Sequence, residues 1–193
     1  SRDVMDPLTS PLLTDLYEYT MLQTYIDRGM QETAVFELTF RHLPENRGFL
    51  LAAGLESLVA WLEQLRFTPD EIAFLDDTGR FSRRLLEYLA AFRFTGDVHA
   101  IPEGTVFFAD EPVVRITAPL PEAQLVESRL INLVHLQTIM ASKAARCVLA
   151  AAGRAKLIEF GLRRAQGAEA GLGAARAAFI AGFSGTSTVL AAE

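Results

Sequence analysis

The sequence predicts an α/β protein, and three observations carry that prediction. Over residues 154–193 short apolar segments alternate with helix-forming ones, the order that parallel strand–helix units leave in a chain. Over residues 94–118 three short alternating runs are separated by turn residues. Between these regions, residues 121–152 form one uninterrupted helical run. Half of the 193 residues are hydrophobic, so a sizeable core is expected. The domain organisation that follows is an α/β N-terminal domain over 1–120, with a β-rich subdomain over about 94–118, a connecting helix over 121–153, and βα units over 154–193.

The elements follow in order. The first helix spans residues 14–28: Thr14 is placed to cap it, Asp15 suits its positive end, and Gly29 stops it. Leu16, Thr20, Met21 and Ile26 are expected to face inward. Residues 34–40 read as a half-buried strand, because Phe36, Leu38 and Phe40 alternate with Glu37 and Thr39. A polar loop covers 41–48, and 49–65 reads as one apolar helix containing Trp61. Thr68-Pro69-Asp70-Glu71 is a capping box with proline at the first helical position, so a short helix runs to about Leu75. Another covers 81–92.

Strands are expected at 98–101, 105–108 and 112–117, with turns at Pro102-Glu103-Gly104 and Asp110-Glu111-Pro112. The helix over 121–152 is acidic at its start (Glu122, Glu127) and basic near its end (Lys143, Arg146), as the helix dipole favours, and Gly153 stops it. Then come a strand at 156–161, a helix at 173–178, a strand at 180–183 and a further helix start. Residues 1–10 read as a loose tail, and 188–193 as the first turns of an unfinished helix, so the chain is expected to be the N-terminal portion of a longer protein.

Composition excludes several function classes. The net charge of −6, without a basic face, argues against nucleic acid as a partner. Cys147 is the single cysteine, which rules out a disulfide framework and fits a reducing, cytoplasmic setting. No secretory segment or membrane-spanning run is visible, so no membrane partner is expected. His42, His99 and His135 lack metal-site spacing, and His135 reads as a core histidine. No metal ligand is therefore assigned. Gly171-Leu172-Gly173 is not a dinucleotide fingerprint, because Arg176 stands where the third glycine is required. Ser184 lacks the glycine that closes a nucleophile elbow.

The candidate site lies in two loops. Ile158-Glu159-Phe160-Gly161-Leu162-Arg163-Arg164-Ala165-Gln166-Gly167 and Gly182-Phe183-Ser184-Gly185-Thr186-Ser187 each read as an apolar strand end breaking into glycines, cations or hydroxyls before a helix. Backbone N–H groups and the positive end of a helix then converge on one point, which suits a phosphate or carboxylate. Tandem loops of this kind resemble neighbouring βα units sharing one ligand mouth. Arg163 and Arg164 can grip such an anion bidentately, or serve as ordinary surface ion-pair residues. Gly185, Thr186 and Ser187 offer donors, though capping of a helix explains the hydroxyls equally well. Phe160 is either core or a flat wall for an aromatic ligand, where stacking adds about 0.5–1.5 kcal/mol. Tyr17 and Tyr19 face different sides of the first helix, and core or interface is the commoner use of such a tyrosine.

Pro11-Leu12-Leu13-Thr14-Asp15-Leu16-Tyr17, Phe36-Glu37-Leu38, Ala53-Gly54-Leu55, Pro102-Glu103-Gly104, and the segments 159–167 and 183–190 occur in this order. Together they resemble the N-terminal part of nicotinate phosphoribosyltransferase, over nearly the whole chain. The resemblance implies an α+β N-terminal domain followed by the first βα units of an irregular, incomplete TIM-like barrel, working as a homodimer. It implies a transferase, of ligase and glycosyltransferase type, that forms nicotinate mononucleotide and pyrophosphate from nicotinate and phosphoribosyl pyrophosphate in NAD biosynthesis. ATP and Mg2+ are the implied cofactors, with no bound organic cofactor.

By the same resemblance, Tyr17 contacts nicotinate in the partner subunit's site, Phe160 forms the opposite ring wall, and Arg163 binds phosphate or carboxylate oxygens. Arg164, Gly185 and Thr186 are possible further anion contacts. Ser187 falls where nicotinamide-using relatives carry an aspartate, so serine favours the acid as substrate. The family's phosphorylated histidine, a nicotinate-binding arginine and the later phosphate loops lie beyond residue 193, so no catalytic residue is assigned and the chain alone is expected to be inactive. The alternatives are a nicotinamide-specific relative and a non-catalytic interaction fragment.

Overall fold

The computed structural model describes residues 7–192; the expectations that fall on residues 1–6 and on Glu193 lie outside them. The first helix, α1 (Leu16–Arg28), starts later than its cap residues suggest. Asp15 takes the N-cap position at φ −80° and ψ 145°, without a side-chain cap bond. At the other end Gly29 is left-handed, and the amides of Gly29 and Met30 close on the Ile26 and Tyr25 carbonyls at 3.2 and 2.9 Å. The buried face is Glu18, Tyr19, Leu22 and Ile26, whereas Thr20 is exposed, Leu16 is 53% exposed and Met21 36%.

The expected inward face is therefore rotated, and the reason is polar. Glu18 receives the Gln124 amide at 2.6 Å and the Ser128 hydroxyl at 2.8 Å. Tyr19 donates to the Pro11 carbonyl at 2.8 Å, and its ring lies 5.7 Å from Phe81 and 6.3 Å from Phe67. Burial holds the Glu18 carboxyl above the usual carboxylate range, against the opposing pull of those two donors. The expected loose tail also ends early. Ser10 is buried and its hydroxyl reaches Glu71 at 2.5 Å.

Strand β1 (Thr33–Thr39) alternates in burial as its sequence alternates. The apolar run that follows is not one helix. It divides into β2 (Leu50–Leu51), a turn at Gly54, and α2 (Leu55–Gln64). The proline-led helix α3 (Pro69–Asp77) carries the predicted capping box, and α4 (Arg83–Ala90) is capped by Ser82. Strands β3 (Asp97–Ala100), β4 (Val106–Phe107) and β5 (Pro112–Pro119) occupy the predicted region. Their partners come partly from outside it: one sheet has the order β1-β5-β3, while β4 pairs antiparallel with β2. Helix α5 (Leu120–Ala151) matches the long run, and at 1.5 Å per residue its 32 residues extend roughly 48 Å.

The chain divides into two compact units. The first takes in residues up to Phe36, Val59–His99 and Arg115–Leu130; the second takes in Glu37–Leu58, Ala100–Val114 and residues from Ile131 onward. In the first, α1 and α3 pack against α4 over Leu75, Leu85 and Leu89. Phe67 and Phe92 meet edge to face at 6.2 Å. The Glu122 carboxylate accepts the amide and hydroxyl of Thr95 at 2.7 and 2.9 Å.

In the second unit, α5 holds the extended segment 50–53 through two hydroxyls one turn apart. Ser142 accepts the Leu51 amide at 2.8 Å, and Thr138 donates to the Ala53 carbonyl at 3.0 Å. Small residues make this approach possible, since Ala53, Ala141 and Ala177 form one buried cluster with Leu51. His135 is not a core histidine; it is exposed and stacks on Phe40 at 5.8 Å. Helix α6 (Ala168–Ile180) is longer than predicted and covers the start of the expected strand at 180–183. The amides of Gly182 and Phe183 finish the helix on the Phe179 and Ala178 carbonyls, so pairing begins only at Ser184. The strands here are β6 (Ile158–Glu159) and β7 (Gly185–Thr186), and the final turn is a 3-10 helix over Val189–Ala192.

A charged strut fixes α6 within this unit. The Glu103 carboxylate accepts the Gly54 and Leu55 amides at 2.6 and 3.0 Å at the start of α2, and both Arg176 guanidinium nitrogens at 2.8 and 2.7 Å. Arg176 also pairs with Glu56 and donates to Gln137 at 3.2 Å. Burial alone would raise the Glu103 carboxyl, but Arg176 and the two amides outweigh it and hold the group below the usual range.

Two stability predictions follow. Gly54 has φ +100°, and a Cβ there would sit 2.9 Å from the Leu133 oxygen and the Val134 Cα. Gly54→Ala is expected to cost about 2–4 kcal/mol, adding a clash to the backbone strain. Gly29→Ala, at φ +69° with open space around it, should cost only about 1–2 kcal/mol. Denaturant midpoints measure both; equal losses would contradict the crowding at Gly54. For Glu103 the folded pKa is depressed, so its contribution is full above the unfolded value of about 4.3 and is lost as pH falls through the lower folded value. Melting curves of Glu103→Gln should therefore lie below wild type at pH 7 and converge with it in acid.

Candidate functional site

The parallel tandem expected from the two loops is present. β6 and β7 pair in parallel, with Ile158 opposite Gly185 and Glu159 opposite Thr186. The Ser184 amide bonds the Leu157 carbonyl at 2.8 Å and the Ser187 amide bonds the Glu159 carbonyl at 2.9 Å, so both chains leave the pairing side by side. Parallel neighbours need a crossover connection, which α6 supplies.

After β6 the chain exposes Phe160 and then tightens into a 3-10 turn over Leu162–Arg164. Phe160 is 63% exposed, and the Arg163 guanidinium lies over its ring at 5.5 Å from the centroid. At an exposed site that cation–π contact is worth about 0.5–1 kcal/mol, sufficient to bias the guanidinium toward the ring. An aromatic surface and a bidentate cation thus stand together at the strand end. Arg164 is exposed beside them.

Glu159, a residue the sequence reading passes over, connects the loops. Its carboxylate accepts the Gly161 amide and, at 2.6 Å, the Thr186 hydroxyl. The Thr186 hydroxyl in turn accepts the Thr188 amide at 3.0 Å. The amides of Arg164 and Ala165 are taken up by the Gly161 and Leu162 carbonyls. The loops therefore use much of their donor capacity on themselves. For an incoming anion they present the guanidinium groups of Arg163 and Arg164, the exposed Ser187, and the first-turn amides of α6. That helix has Gly167 as N-cap and no side-chain cap bond. Thr186 donates its hydroxyl hydrogen bond to Glu159, so its part in the loop is internal.

Part of the predicted set lines two separate cavities, and Arg163 and Ser187 line neither of them. One, of about 430 Å³, is lined by Phe160, Glu159, Arg164 and Gln166 together with Lys143 and Cys147. The other, of about 640 Å³, is lined by Gly185, Thr186 and Ser184 together with Arg176, Phe179 and Leu190. Tyr17 belongs to the first unit, where it is 43% exposed and donates to Glu127 at 3.4 Å. Among the described residues, no group of three or more His, Cys, Asp or Glu could hold a metal ion, and no helix is long and apolar enough to cross a membrane.

Glu159 and Arg176 were hidden for different reasons. Glu159 shows in sequence only as the polar residue of an apolar strand, and its partner Thr186 lies 27 residues away. Arg176 shows only as the residue that spoils a glycine motif; its partner Glu103 is 73 residues distant.

The family model and the sequence relatives agree on one family. The family model described as the nicotinate phosphoribosyltransferase N-terminal domain matches residues 12–135. Nicotinate phosphoribosyltransferase pncB2 of Mycobacterium tuberculosis is 51% identical over 182 residues, covering 94% of this chain and 39% of that protein. The nicotinate phosphoribosyltransferase of Bacillus subtilis is 43% identical, covering 94% of this chain and 37% of that protein. Among solved structures, human nicotinic acid phosphoribosyltransferase superimposes with a TM-score of 0.85 at 38% identity, covering 93% of this chain and 36% of that one. A nicotinate-nucleotide pyrophosphorylase from Pyrococcus furiosus gives 0.75 at 25% identity, covering 98% and 41%. The chain spans about two-fifths of the length of the curated relatives it matches. Sequence and fold agree that it belongs to the nicotinate phosphoribosyltransferase family and carries that family's N-terminal domain.

Proposed function

We propose that the protein containing this chain joins nicotinate to phosphoribosyl pyrophosphate, giving nicotinate mononucleotide and pyrophosphate in NAD biosynthesis, with ATP hydrolysis coupled. The observation that carries this reading is the placing of the Phe160 ring, the Arg163 guanidinium and Ser187 at the ends of two parallel strands. The names of the relatives point to the same substrate pair. The rest of the irregular TIM-like barrel, and the family's phosphorylated histidine, are supplied outside these residues.

The chemistry is a displacement at the anomeric carbon. The pyridine nitrogen lone pair forms the new bond to C1′ while the bond to pyrophosphate breaks, and pyrophosphate leaves with the electron pair. Positive charge grows on the ribose in the transition state, so the site must hold a flat ring and a polyanion in line while adding little motion of its own. Phe160 serves as the wall for the ring. Arg163 takes phosphate or carboxylate oxygens, helped by Arg164. Ser187 leaves room and a hydroxyl for the nicotinate carboxylate, where an aspartate would repel it. Tyr17 comes from the partner subunit of a homodimer and meets the ring from the other side.

Among the described residues no group of three or more His, Cys, Asp or Glu would bind Mg2+ by itself. Magnesium prefers phosphate oxygens and water with one or two carboxylates, so it would arrive on the pyrophosphate of the substrate. The cytoplasm is the setting that suits a chain with one exposed cysteine.

In the full-length protein, Arg163→Ala is expected to lower turnover of nicotinate at least tenfold. A wild-type rate in that variant would remove Arg163 from the site. Ser187→Asp is expected to weaken nicotinate at least tenfold relative to nicotinamide in a competition assay. An unchanged preference, or a wild-type protein that already favours the amide, would overturn the role given to Ser187.

A further inference from the structure

We propose that Glu159 is a positioning residue that locks the two strand-end loops into one rigid element. The proposal rests on the nicotinate and phosphoribosyl reading of these loops and deepens it. Phe160 lies between Glu159 and Gly161, and the bond from the Gly161 amide to the Glu159 carboxylate closes a tight turn around it. Ser187 lies between Thr186 and Thr188, and the bond from the Thr188 amide to the Thr186 hydroxyl closes a matching turn at 3.0 Å. A single side chain joins the two turns, because the second Glu159 oxygen accepts the Thr186 hydroxyl at 2.6 Å. The Glu159 main chain adds a second link between the loops by accepting the Ser187 amide at 2.9 Å.

Two of the residues given to the ligand, Phe160 and Ser187, thus sit at the centres of turns that share one carboxylate. Backbone pairing alone covers only Ile158 with Gly185 and Glu159 with Thr186, too short a ladder to direct the side chains beyond it. A carboxylate is suited to the junction because both of its oxygens are acceptors and both of its partners donate. Glutamine keeps one acceptor and can donate to the Thr186 oxygen instead. Alanine can do neither. The role is distinct from that of Arg176 and Glu103, whose hydrogen bonds join α6 to the start of α2.

The test uses the full-length protein and two readouts. Amide exchange at Gly161, Ser187 and Thr188 is measured alongside the nicotinate KM and kcat. Glu159→Ala is expected to speed exchange at least tenfold at Gly161 and at Ser187 together. It should raise the nicotinate KM at least fivefold with a smaller change in kcat. Glu159→Gln is expected to restore both readouts to within about threefold of wild type. Faster exchange in the Phe160 loop alone, or an unchanged KM, would overturn the proposal. Should Glu159→Ala fail to fold, Thr186→Val cuts the same link from the other side. It is expected to raise the nicotinate KM at least fivefold, and an unchanged KM there would also overturn it. If the wild-type protein does not convert nicotinate, the functional reading fails. The exchange data would still decide whether Glu159 joins the loops.

Discussion

The parallel pairing of β6 with β7 is the constraint on which the site depends. Parallel neighbours cannot be joined by a tight turn, so a crossover must carry the chain back before the second strand begins. Here that crossover is α6, thirteen residues long and rich in alanine. Because both strands run the same way, the loops that leave them emerge at the same end. Phe160, with the Arg163 guanidinium over its ring, follows one strand, and Ser187 follows the other.

A crossover helix positions its strands only if the helix itself is held. Within the second unit that task falls to Arg176, whose guanidinium joins Glu103, Glu56 and Gln137. Glu103 also takes the two amides at the start of α2, so one carboxylate serves both a helix start and an ion pair. A partly buried pair of this kind would be costly if left with unsatisfied oxygens, and here each oxygen has partners. The Ala53-Gly54-Leu55 and Pro102-Glu103-Gly104 elements, separate in sequence, meet at this point. Gly54 has no room for a side chain there, which gives that motif a steric cause.

Much of the fold was legible in the sequence where local chemistry decides it. The Thr68 to Glu71 capping box, the Gly29 stop, the alternation over Thr33–Thr39 and the long α5 all follow from contacts within a few residues. Distant partners decide the elements that differ. Leu50-Leu51 is drawn from an apolar helical run into a strand by Phe107 and Val106. Glu18 turns the buried face of α1 because Gln124 and Ser128 wait for it more than a hundred residues away. The site shows the same division. The placing of Phe160 and Ser187 just past two strand ends was visible through loop composition, whereas the link from Glu159 to Thr186 is one that periodicity cannot reveal. The position of Arg176, read only as a missing glycine, turned out to be occupied for packing and charge.

The most direct measurement is a crystal structure of the full-length protein with nicotinate mononucleotide bound. The pyridine ring is expected against Phe160, with the nicotinate carboxylate near Ser187 and phosphate oxygens on Arg163. The Glu159 carboxylate is expected to hold Gly161 and Thr186 as it does here. A nucleotide bound away from the ends of β6 and β7, with both loops undisturbed, would contradict the assignment of this site.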